Sequence, residues 1–174
     1  QHLPEVADEL CMLHGLCDTN VAHGGACMKL FTGSESLVRP SMGSWVSYGL
    51  GTENQNLPSY VTICPTSLHG GVDNFGSAFL PNVHRGVPLG TPGYPNTPAA
   101  KARFEFLKNN RVSREQQRLM LNQLKRMNRD YETRIGVDGE LDERLQSYEM
   151  AFRMQSEAPA VLDLSGETEE TLRL

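Results

Sequence analysis

The run Leu10–Gly33, "LCMLHGLCDTNVAHGGACMKLFTG", decides how this chain is read. Its first eight residues, Leu10 to Cys17, are short and mostly apolar, the pattern of a buried strand. "DTNVAHGG" then collects Asp, Thr, Asn and Gly, and "ACMKLF" favours helix until Gly33 supplies a C′ stop. Upstream, Leu3, Val6, Ala7 and Leu10 recur at helical spacing and lead into the strand. Helix, strand, loop and helix in succession are α/β grammar. The loop follows the C-terminal end of a strand and precedes a helix, which is where ligands bind in open α/β sheets.

His23 stands at that junction. A helix N-terminus presents unpaired backbone N–H groups and partial positive charge, and so favours an anion or the anionic form of a reacting group. Gly24 and Gly25 would let those amides approach an oxyanion closely. A neutral imidazole there can attack phosphorus, ligate a metal or transfer a proton. The competing reading is a histidine that caps the helix or bonds within a turn, and spacing alone favours it.

Outward from this stretch, 174 residues with 39% apolar and 21% charged side chains suffice for one domain with a core. The net charge of −5 argues against nonspecific nucleic-acid binding, which needs a basic face. The basic stretch Arg118–Arg134 reads as a solvated helix face. No apolar run approaches the roughly 20 residues that cross a bilayer, and "QHLPEVADEL" has no signal-peptide pattern. The absence of an initiator Met and the uncapped ending "EETLRL" are read as those of a fragment of a longer protein. Of the four cysteines, Cys11 and Cys64 fall in apolar strand-like runs and are expected to be buried thiols. Cys11, His14 and Cys17 fit no standard structural zinc spacing.

"RPSMGSWVSYGLGTENQNLPSYVTICP" repeats the theme. Ser41 can cap a short helix, Gly51 can end it, Trp45 is expected to anchor a core, and "YVTIC" reads as a second buried strand. Leu68–Pro98, rich in Gly, Pro, Asn and Ser, reads as a long loop or a set of turns, and such loops are often functional. It carries His84, an ordinary loop histidine, and His69, a distant second candidate for site chemistry. In the last third, Ser113 and Gln116 form a capping box ahead of Met120, Leu124, Met127 and Tyr131, a helix of about five or six turns. "GVDGE" breaks it, and Leu141, Leu145, Tyr148 and Phe152 mark a second helix expected to end before Pro159. The two should form a helical hairpin that packs on the α/β part through its apolar faces, with Met residues as core fillers. The chain thus divides into an α/β segment (1–66), a loop region (67–100), a helical hairpin (101–157) and a tail (158–174), all within one domain. No internal repeat or low-complexity tract interrupts it.

The stretches from "VADELCMLHGLCDTNVAHGGACMKLFTG" through "RPSMGSWVSYGLGTENQNLP" and "NFGSAFLPNVHRG" to "SYEMAFRMQSEAPAVLDLSGETEETLRL" resemble a bacterial domain-of-unknown-function family, number 1501. Its members are sulfatase-like proteins of the alkaline phosphatase superfamily. The resemblance covers nearly the whole chain and implies a partial sulfatase-like sheet with flanking helices. Members are much longer and carry a twin-arginine export signal, an acidic metal-ligand motif and C-terminal His/Asp motifs, so this chain matches their centre. In sulfatases the modified cysteine opens a run that closes on Leu-Thr-Gly nine residues on; His23 to Thr32 spans the same step. His23 therefore falls at the nucleophile position, without the Cys or Ser and the Pro-Ser-Arg that formylglycine chemistry needs. Cys27 stands where many members have a second histidine.

The resemblance implies an exported, periplasmic or extracellular hydrolase of phosphate or sulfate esters, small-molecule or polysaccharide. It implies a divalent metal (zinc, calcium or manganese) held mostly by residues outside this chain. His23 would be the nucleophile or a metal-facing acid/base, with Asn20 and the amides after His23 steadying the oxyanion. The alternative is a non-catalytic binding module that keeps the fold.

Overall fold

The computed structural model describes residues 3–93, 101–105 and 107–173. A 3-10 turn over Leu3–Glu9 precedes helices α1 (His23–Thr32) and α2 (Met42–Leu50) and strand β1 (Val61–Ile63). Two further 3-10 turns, Gly71–Phe75 and Asn82–His84, lead to strand β2 (Val87–Leu89). Helices α3 (Arg114–Ile135), α4 (Gly139–Val161) and α5 (Glu169–Arg173) complete the order. The architecture is mixed α/β, mostly helical, with β1 and β2 paired in parallel from Val61↔Val87 to Ile63↔Leu89.

The helix boundaries follow the sequence signals. α1 stops at Gly33, which takes the left-handed conformation (φ 76°, ψ 8°) that a side chain would strain. Ser41 caps α2 by accepting the Ser44 N–H at 3.3 Å, and Gly51 ends it. The capping box of α3 is closed both ways: Ser113 Oγ accepts the Gln116 N–H and Gln116 Oε1 accepts the Ser113 N–H. At the hairpin bend, Gly136 has φ 107° and Asp138 accepts the N–H groups of Glu140 and Leu141.

Leu10–Cys17 is not the buried strand its apolar run predicts. It forms no strand, and its residues lie open to solvent, Leu13 at 72%. A strand is held by a neighbouring edge; β1 and β2 take each other, and among the described residues nothing pairs with this segment. Cys11 and Cys17 are consequently exposed and Cys64 half-buried, against the expectation of buried thiols for Cys11 and Cys64. The 3-10 turn before it also departs from helical geometry at Val6 (φ −115°, ψ 22°). "YVTIC" does supply β1, but with one partner strand and open faces it leaves Ile63 69% exposed. In the expected loop, β2 and both 3-10 turns are ordered; residues 94–100 lie outside the described residues.

The core beneath α2 is small and partly polar. Ser41 and Ser44 are fully buried; the Ser41 N–H and the Ser44 hydroxyl both donate to the Gly76 carbonyl, at 3.0 and 2.9 Å. Ser47 continues this buried serine face one turn on, and Phe75 and Leu80 are buried as well. Trp45 therefore sits on the other side of the helix, 47% exposed, edge-on to Phe79 and Tyr48, and does not anchor the core as expected.

In the hairpin the expected stripe of α3 also faces outward: Met120, Leu124, Met127 (59% exposed) and Tyr131 are open to solvent. Leu121 and Asn128 are buried instead, a face rotated by about one residue, or ~100°. Polar pairing sets this rotation. Arg118 and Lys125 both reach Glu149 of α4, at 2.8 and 2.7 Å, and Arg114 and Arg118 lie over the buried Phe152 ring at 4.4 and 4.1 Å. On α4, Phe152, Met154 and Ala158 are buried, whereas Tyr148 is exposed. α4 does not end before Pro159 but runs to Val161, because a proline in the last turn removes one terminal bond, and the Leu162 N–H still reaches the Ala158 carbonyl at 3.1 Å.

Candidate functional site

His23 is the first residue of α1, and the cap is Ala22, whose extended backbone contributes no side-chain bond. His23 is thus not the capping residue. The first ladder bond of α1 runs from the Ala26 N–H to the Ala22 carbonyl at 3.0 Å. The amides of His23, Gly24 and Gly25 precede that ladder and have no acceptor within the helix, the condition for an anion-facing helix start.

The partner brought to His23 is His69. Their rings meet edge-on, centroids 5.2 Å apart and planes at 70°, and both side chains are exposed. Three consecutive residues in left-handed backbone shape this corner: His69 (φ 56°), Gly70 (φ 95°) and Gly71 (φ 54°). Asn74 holds it, donating from Nδ2 to the His69 carbonyl at 2.8 Å. A Cβ on Gly70 would come within 2.5 Å of Asn74 Oδ1 and 2.7 Å of Met28 Cγ, so the loop closes on α1 only because residue 70 has none. The two histidines that the sequence singles out for chemistry lie at one place.

Asn20 is positioned differently from its expected role. Its Oδ1 accepts the Ala22 N–H at 2.8 Å, an Asx turn that leads the chain into α1, and its Nδ2 donates to Glu35 at 2.9 Å. The side chain crosses the start of α1 where a Cβ on Gly25 would collide with Nδ2. Gly25 thus makes room for Asn20, and Asn20 shapes the helix entry. Asp18 accepts from Lys29 Nζ at 2.7 Å, and this hydrogen bond, first among the causes, holds its carboxyl below the usual range and the Lys29 ammonium above its own. Cys27, one turn along α1, is half-buried. Among the described residues no three of His, Cys, Asp and Glu are grouped so as to hold a metal ion. His23 and His69 are two donors, not a complete ligand set.

His84 has a stronger setting than an ordinary loop histidine. Its Nδ1 is 2.9 Å from the hydroxyl of buried Ser47, which also bonds Ser59 Oγ, and the Tyr48 ring stands edge-on at 5.3 Å. The signal that could have found this was the serine face of α2, Ser41, Ser44 and Ser47 at helical spacing.

The family described as protein of unknown function (DUF1501) matches residues 1–174. No curated protein and no solved structure matches the chain.

Proposed function

The chain belongs to the DUF1501 family, and on that premise we propose that it forms part of an exported sulfatase-like hydrolase that cleaves phosphate or sulfate esters with a divalent metal. The observation that carries this reading is the edge-on pair His23–His69 at the first turn of α1. Two imidazoles bound to one tetrahedral ion through bonds of about 2.0–2.1 Å have ring centroids roughly 5 Å apart, and the 5.2 Å separation fits that arrangement. Zinc, calcium or manganese would supply the Lewis acidity, and imidazole donors favour zinc among the three. Further ligands come from outside this pair.

The chain's own residues then divide the work. The free amides at the start of α1 face the ester's anionic oxygens, and the helix dipole adds to their pull. As a metal-facing ligand His23 would help hold the ion; left unligated and neutral, it would instead attack phosphorus or sulfur while the ester's alcohol departs as alkoxide and takes a proton from water, or would itself pass that proton as acid/base. His69 orients the site beside it. The sulfatase-like sheet belongs to the same reading: parallel strands are ordinarily covered on both faces and flanked by further strands, and among the described residues no third strand joins β1 and β2.

His23→Ala and His69→Ala in the full-length protein test this reading on a panel of phosphate and sulfate esters, small molecules and polysaccharides. Loss of at least about 100-fold in hydrolysis is expected from His23→Ala. Activity retained in that variant rules out a catalytic His23. A second reading, a non-catalytic binding module, is favoured by the incomplete donor set at the pair, and it is distinguished by a metal-free full-length protein.

A further inference from the structure

A cavity of about 770 Å³ lies between the C-terminal end of α2 and the α3–α4 hairpin, and neither His23 nor His69 lines it. Its hairpin wall holds two buried polar atoms without a partner, Asn128 Oδ1 and Arg153 Nε. Asn128 is only 9% exposed, and its amide is fixed by donating from Nδ2 to Glu132 and Asp142, each at 2.9 Å. Its orientation leaves Oδ1 as an acceptor. Buried polar atoms are ordinarily paired, so a lone acceptor and a lone donor in one cavity wall mark places for complementary ligand atoms.

Charge narrows the ligand further. Lys125 is tied to Glu149, which also takes Arg118. Arg129 and Arg153 have no acidic partner among the described residues, and both line the cavity. Glu132 and Asp142, also in its wall, accept from the Asn128 amide. The wall therefore offers two uncommitted guanidinium groups beside a cluster of hydrogen-bond acceptors. Among the described lining residues there is no Phe, Tyr or Trp, and the one ring present, the His84 imidazole, is engaged by Ser47 and stands edge-on to Tyr48.

We propose that this cavity binds a small hydroxylated anion of the sugar-acid or sugar-phosphate kind, its anionic group on Arg129 and Arg153 and its hydroxyls on Asn128 Oδ1 and the neighbouring carboxylates. Guanidinium groups recognise carboxylate and phosphate alike, so both sources share this chemistry. Ser47 and His84 close the opposite side.

Calorimetric titration of the full chain with D-glucuronate, glucose 6-phosphate, glucose and inorganic phosphate separates the cases. Saturable binding of glucuronate or glucose 6-phosphate is expected, with glucose and inorganic phosphate at least tenfold weaker; whichever of the first two binds identifies the anion. Arg129→Gln, at an exposed position that leaves the fold intact, should weaken that binding at least tenfold. The Asn128 side-chain amide and the Arg153 Nε–H should shift in nitrogen-resolved NMR spectra on titration. The proposal is overturned if neither sugar anion binds, if inorganic phosphate or glucose binds as tightly, or if Arg129→Gln binds like the unaltered chain.

Discussion

At the scale of single residues, the His23–His69 contact hangs on a glycine. Gly70 lets the 69–71 turn approach Met28 of α1 and so sets His69 beside His23. Gly70→Ala meets both a left-handed backbone and a close contact with Asn74 and Met28, and should cost about 1–3 kcal/mol, read as a lowered thermal midpoint. The same variant should disturb the His69 ring signals, whereas Gly49→Ala, with open space around its Cβ, should do neither. The start of α1 at His23 was legible in the sequence because its signal is local: a polar loop, a glycine pair and a helix that Gly33 stops. Its partner was not. His69 reaches it through left-handed turns that "SLHGG" hints at but does not orient, and Asn20 reads as a polar group near the site while acting as an Asx turn.

At the scale of elements, helix ends were readable and helix faces were not. Caps depend on one side chain and an amide three residues on, so Ser41, Ser113 and Gly33 could be placed from sequence. Ser113→Ala should destabilise α3 by about 1 kcal/mol, and Ser113→Thr should restore much of it, both read by denaturant unfolding. The inward face of α3 depends on partners in α4. Reading apolar residues alone selects Met120, Leu124, Met127 and Tyr131, but Arg118 and Lys125 converging on Glu149 turn Leu121 and Asn128 inward. Burial pushes the Glu149 carboxyl up, yet the hydrogen bonds from Lys125 and Arg118 outweigh it and hold the group below the ordinary glutamate value of about 4.3. A carboxyl lowered in the folded state adds stability that is complete above that ordinary value and is lost as pH falls through the lowered one. Glu149→Gln should therefore be less stable than the unaltered chain at neutral pH, and the gap should close as pH drops below about 4. A gap that stays constant with pH would show that the ion pairs do not set it.

At the scale of the molecule, the α/β class was readable and the sheet was not. Leu10–Cys17 and "YVTIC" carry the same apolar pattern, yet only the second finds an edge, in β2, a segment that reads as loop because Gly86 and Pro88 punctuate it. Pairing is a property of two segments, and neither reveals it alone. The proposed site likewise takes two segments: α1 and the 69–71 turn set His23 beside His69, and the proposal is that this pair faces a metal. Metal analysis of the full-length protein and its His23→Ala and His69→Ala variants tests it most directly. One divalent ion per chain is expected in the unaltered protein, lost or held at least about tenfold more weakly in both variants. Equal metal content in all three proteins would contradict it.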